Sequence, residues 1–222
     1  MNPTLTAAAP EAPTHDYRLP LRLWHWTNAL LVSAQLITIL FQKVIVNARS
    51  AVPEFVADLH REGTTLTTQQ AGGFAHLISE RIWQWHIYFG LALVAAWLLR
   101  LGIALRGPAD MRFSARLLAV ARRYRLAPPA EKSEAGKVLF AKSTYALFYL
   151  MLTIMVLTGL ALVWADDVPV LHQVEHSVKE VHNVTMYGII AFISVHVVGV
   201  VWAEATKEHG LISRMVGGPS PK

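Results

Sequence analysis

Residues His182–Trp202 read HNVTMYGIIAFISVHVVGVVW, a run able to cross about 30 Å of hydrocarbon as one helix. Its two histidines, His182 and His196, stand fourteen residues apart. At about 100° per residue this spacing returns to within roughly 40° of one face while climbing roughly 21 Å. One helix therefore shows two imidazoles to one side at two depths. An ionisable group inside a bilayer is costly without a partner, so each histidine is a candidate functional residue. The plainer alternative is a pair of buried histidines bonded to neighbouring helices, and the two readings separate on whether other helices supply histidines at matching depths.

Composition extends the membrane reading to the whole chain. Of its 222 residues, 54% are hydrophobic and only 16% charged, too apolar a balance for a soluble domain of this length. Apolar runs at about 21–41, 82–105 and 145–164 join 182–202 as expected spans. The predicted fold is an all-α integral membrane protein, a four-transmembrane-helix bundle over residues 18–218. Residues 1–17, rich in Ala, Pro and Thr with no basic segment ahead of an apolar core, are expected to be a disordered tail and not a signal peptide. Residues 219–222 form a second tail.

Charge placement sets the orientation. Between Arg100 and Lys142 lie ten basic residues against the three acids Asp110, Glu131 and Glu134, so this connection is cytoplasmic by the positive-inside rule. Both termini then fall inside, and the segments 43–80 and 165–181 outside. The first of these reads as a long, mixed polar loop and a docking surface or a dispensable insertion. The second is acidic and carries His172 and His176, where solvent satisfies them. Within the basic connection, MRFSARLLAVARRYRL has the pattern of an amphipathic helix for the anionic inner leaflet, with a purely topological basic loop as the alternative. The net charge of +5 is thus spent flanking spans, which argues for lipid and against nucleic acid as the partner.

Orientation sorts the histidines by depth. His25, between Trp24 and Trp26, lies near the inner start of the first span. His86 lies near the outer start of the second, with Gly90 one turn further on the same face, where a glycine admits either a flat group or a closely packed helix. His182 is outer and His196 inner. Two pairs result, His86 with His182 and His25 with His196. Two histidines facing each other at one depth are a ligand set for the iron of a b-type haem, filling both axial positions and favouring one-electron transfer. A transporter or proton relay ranks lower, because the spans contain no Asp, Glu or Pro in their interiors. Zinc ranks lower still, with two ligands per level and no carboxylate to complete either set. The absence of cysteine excludes thiolate-held iron–sulfur clusters, covalent c-type haem and disulfides.

The pattern resembles the bacterial cytochrome b561 family, which includes the b-type cytochrome subunits of membrane-bound nickel-iron hydrogenases and, more distantly, the gamma subunit of formate dehydrogenase. The resemblance rests on RLWHWTNAL at Arg22–Leu30, His86 with Gly90 and Arg100, LTGLAL at Leu157–Leu162, the spacing of His182 and His196, and GLISRMVGG at Gly210–Gly218. It implies two b-type haems in a bacterial inner membrane, one held by His25 and His196 and the other by His86 and His182. It further implies a periplasmic redox partner, a hydrogenase or another dehydrogenase, and quinone as the exchangeable carrier. A free-standing enzyme coupling superoxide oxidation to quinone reduction is the alternative within redox chemistry. Arg22 and Arg81 sit at levels suited to haem propionates, or else simply anchor helix ends.

Overall fold

The computed structural model describes residues 19–45, 48–106, 113–206 and 210–217, and among them all regular secondary structure is helical. The order is α1 (Leu19–Leu40), a π-helical turn (Phe41–Ile45), α2 (Ala48–Arg61), α3 (Thr68–Arg106), α4 (Phe113–Leu126), α5 (Lys132–Val163), α6 (Pro169–Thr206) and α7 (Leu211–Gly217). Four stretches are long and apolar enough to cross a membrane: Leu19–Ile45, Thr68–Arg106, Lys132–Val163 and Pro169–Thr206. Helix is the only open-chain structure that satisfies every backbone N–H and C=O without water, which is why apolar spans fold this way. The tails expected at 1–17 and 219–222 lie outside the described residues.

Helices α3 and α6 outrun their apolar cores furthest. The 39 residues of α3 and 38 of α6 are each about 57 Å long at 1.5 Å per residue, against about 30 Å of hydrocarbon. The polar segment 43–80 is accordingly no simple loop. It holds α2 and the first turns of α3, and Thr67 starts α3 with a reciprocal cap: its Oγ1 accepts the Gln70 N–H at 3.2 Å while Gln70 Oε1 accepts the Thr67 N–H at 3.0 Å. Gly63, at φ +77°, reverses the chain after α2. His172 and His176, expected in a loop, instead ride the exposed first turns of α6, with Glu175 at 3.7 Å from one and Glu180 at 3.3 Å from the other. The basic amphipathic helix appears as α4. Tyr124 packs where a Cβ on Gly136 of α5 would meet its ring at 3.3 Å, and Leu118, Arg122, Arg123 and Leu126 face outward.

The chain divides into two compact units, residues 28–194 and the pair of segments Met1–Thr27 and Val195–Lys222. In the larger unit, each of the four long helices gives one residue to the centre: Val32, Leu93, Leu152 and Ile189. Leu152 is 0% exposed. Most large apolar side chains point outward instead, as a hydrocarbon solvent allows. Polar contacts between α3 and α5 are few and specific: Trp97 Nε1 donates to Thr153 Oγ1 at 3.2 Å, and Arg100 donates to Tyr145 and Tyr149 hydroxyls at 3.1 and 3.3 Å. A guanidinium within an apolar span needs such acceptors to offset its desolvation. In the smaller unit, α7 is fastened at both ends. Glu204 accepts the backbone N–H groups of Gly210 and Ile212 at 2.7 and 3.0 Å. Arg22 donates to the Met215 and Val216 carbonyls, and Trp26 Nε1 to Met215 at 3.0 Å.

Candidate functional site

His86 of α3 and His182 of α6 line one cavity of about 350 Å³, walled by apolar residues that include Val32, Leu93, Leu152 and Ile189. Each ring is held by a threonine on a different helix. Thr38 Oγ1 of α1 lies 2.8 Å from His86 Nδ1, and Thr158 Oγ1 of α5 lies 2.8 Å from His182 Nδ1. The direction of these bonds follows from what else the hydroxyls do. Thr38 gives its proton to the Gln35 carbonyl at 2.7 Å, and Thr158 gives its own to the Ile154 carbonyl at 2.6 Å. Having one proton each, both oxygens can only accept from the imidazole. Nδ1 is therefore the protonated nitrogen on both rings, and Nε2 carries the lone pair. Fixing the tautomer by the other nitrogen's hydrogen bond is how proteins orient and strengthen a metal-ligating histidine.

Gly90 also lines this cavity, and it has a second task. A Cβ there would stand 3.0 Å from Gln35 Nε2, whose amide donates to the His86 carbonyl at 3.0 Å. The glycine lets a side chain of α1 lie across α3 beside the histidine. Gly159, one residue beyond Thr158, also lines the cavity, and a Cβ there would meet His182 Cε1 at 3.5 Å. Trp83 stands edge-on to the His86 ring at 5.3 Å.

The other two histidines meet in the smaller unit. The rings of His25 and His196 have centroids 6.3 Å apart and planes inclined at 50°. His25 Nδ1 is buried with no hydrogen-bond partner among the described residues. The ring of Trp26, whose indole is tied to α7, packs edge-on against His25 at 5.2 Å.

Both pairs fit a haem iron as a donor set. A metal–imidazole bond is about 2 Å long and the ring centre lies roughly 1 Å beyond the ligating nitrogen, so two rings on opposite sides of one iron have centroids about 6 Å apart. The 6.3 Å between His25 and His196 matches that spacing. For His86 and His182 the fit lies in the two Nε2 lone pairs and in an apolar cavity within the size range of cofactor sites. The sequence-predicted histidines are thus brought together in the expected pairs. The two arginines are placed otherwise. Arg22 is engaged on the α7 carbonyls, and exposed Arg81 reaches Gln84 Oε1 on its own helix at 3.4 Å and does not line the cavity. Thr38, Gln35 and Lys179 contribute to the cavity's surroundings without having been singled out by sequence. A threonine in a span carries no hydropathy signal, and Lys179 was assigned to a loop.

The fold defines a multi-pass membrane protein that carries two pairs of histidines on its long helices. The chain belongs to the prokaryotic cytochrome b561 family, whose model matches residues 16–218. Membership implies b-type haem and electron transfer within a bacterial membrane. No curated protein and no solved structure matches the chain.

Proposed function

We propose that the chain is a di-haem b-type cytochrome subunit that passes electrons between a periplasmic redox enzyme, a hydrogenase or another dehydrogenase, and the quinone pool. His25 and His196 would hold one haem, and His86 and His182 the other. The observation that carries the reading is that four histidines from three helices resolve into two pairs, each inside one compact unit. Iron held by two imidazoles would supply reversible one-electron transfer. The protein's own part is to hold the rings: Thr38 and Thr158 keep Nδ1 protonated and leave the lone pair on Nε2, and apolar residues make up most of the cavity wall. The basic connection through α4 supports cytoplasmic termini, which put the His86–His182 pair on the periplasmic side, toward the electron-exchanging enzyme, and quinone near the other pair.

A reduced-minus-oxidised spectrum with haem quantified per purified chain tests the proposal. Two haems are expected. His86→Ala and His182→Ala should remove the same one, and His25→Ala and His196→Ala the other; loss of different haems within a pair refutes the pairing. Co-purification from native membranes with a large periplasmic oxidoreductase is the expected partner result. Turnover with superoxide by the isolated chain would overturn the partnership.

A further inference from the structure

We infer that Lys179 is the residue that binds the acid groups of the cofactor held between His86 and His182, an assignment that rests on reading that cavity as a haem site. On α6 the cavity lining includes Glu175, Lys179, His182, Met186 and Ile189 beside Asn183, and the spacing of three and four keeps those five on one face. Lys179 lies one turn from His182, about 4.5 Å along the axis. It is exposed while His182 is half-buried, and it precedes the apolar run 182–202, so Lys179 lies toward the end of the cavity nearer water. This is where the carboxylates of an otherwise apolar macrocycle must emerge, since a buried carboxylate without a partner is prohibitively costly.

Two further observations favour Lys179 over other cations. Among the described residues it is the single Lys or Arg lining the cavity; Arg81 is turned to Gln84. Glu175, four residues earlier, is in the favoured position for an ion pair with Lys179, yet its carboxylate faces His172 Nδ1 at 3.7 Å. No ion pair or hydrogen bond engages the Lys179 ammonium among the described residues. A cation left at the rim beside a ligand histidine is a ready partner for an anion delivered by the cofactor.

The experiment uses the full chain purified with its haem, and compares release of haem with release of its dimethyl ester, in which the acid groups are neutral. Transfer to excess apomyoglobin is followed for the kinetic phase that His86→Ala abolishes. Wild type should lose the ester roughly threefold to tenfold faster than haem, the range between a surface ion pair and a charge-assisted hydrogen bond. Lys179→Gln should lose both at the same, faster rate, Lys179→Arg should behave as wild type, and Lys179→Glu should release haem faster than ester. The midpoint potential of that haem should fall in Lys179→Gln, because removing a cation favours the ferric form. Unchanged discrimination between haem and ester in Lys179→Gln overturns the assignment. Undiminished haem content in His86→Ala instead overturns the reading on which it rests.

Discussion

Replacing Thr158 by valine keeps the side chain's shape and removes the oxygen that accepts the His182 Nδ1–H at 2.8 Å. The carbonyl of Ile154 loses an added donor but keeps its place in the helix ladder, so the damage concentrates on the imidazole. An N–H left in an apolar site without an acceptor costs about 1–3 kcal/mol, equivalent to roughly 5- to 150-fold in binding at 1.4 kcal/mol per tenfold. Loss of a histidine's outer partner in metal sites changes affinity by about 10- to 100-fold. His182 is half-buried rather than sealed, which places the expected loss of haem affinity near the lower end, about tenfold. The potential should move as well. A hydrogen bond from Nδ1–H makes the ligand a better electron donor and favours ferric iron, so its removal raises the midpoint of that haem alone. Haem titration of the purified apo chain and a redox titration of the holo chain measure both effects, with Thr158→Ser as the variant that should retain wild-type behaviour. If Thr158→Val and Thr38→Val both leave affinity and midpoint unchanged, the tautomer argument fails.

Gly90→Ala puts a methyl group 3.0 Å from Gln35 Nε2 and should displace that amide from the His86 carbonyl. A severalfold loss of haem at that site with unchanged helix content is expected, and Gln35→Ala, which removes the same hydrogen bond, should cause a similar loss; full haem retention in Gln35→Ala would place the conflict elsewhere. Arg22→Ala removes donors from the Met215 and Val216 carbonyls, and hydrogen exchange across 211–217 should rise while exchange in α3 and α5 stays the same. Leu152→Ala empties the most buried position of the four-helix centre and should destabilise the chain by about 2–4 kcal/mol, measured by unfolding in mixed micelles.

The spans and the histidine pairs were legible because each rests on a strong physical rule. Lipid requires apolar residues outward, and an imidazole in lipid requires a partner. The ends of the helices were not legible in the same way. Hydropathy reports the part of α3 or α6 that meets hydrocarbon and is silent where the same helix continues into water, so the turns carrying Lys179 and His172 read as loop. One local signal was available there, the Thr67-x-x-Gln70 capping box that starts α3 ahead of its apolar run. The ring-holding role of Thr38 and of Thr158, a residue of the LTGLAL motif, was hidden for another reason. A threonine in a span satisfies itself on a carbonyl in its own preceding turn, as Thr153, Thr185 and Thr206 also do, so sequence does not mark the two that serve a histidine as well. Arg22 was read at the right end of its helix, but its acceptors come from a segment nearly two hundred residues away, beyond any local pattern.

The threonine–histidine bonds also bear on how the protein is made. His86 takes its acceptor from α1, the preceding span, and His182 takes its acceptor from α5, again the preceding span. Each consecutive pair of spans leaving the ribosome can therefore orient its own imidazole before the other pair is inserted. The two hairpins meet at Trp97 and Arg100 of α3 against Thr153, Tyr145 and Tyr149 of α5, while the cavity between His86 and His182 stays as a seam. Because His182 lies on the fourth span, a cofactor that needs both imidazoles would find its donor set complete only after that span has been made.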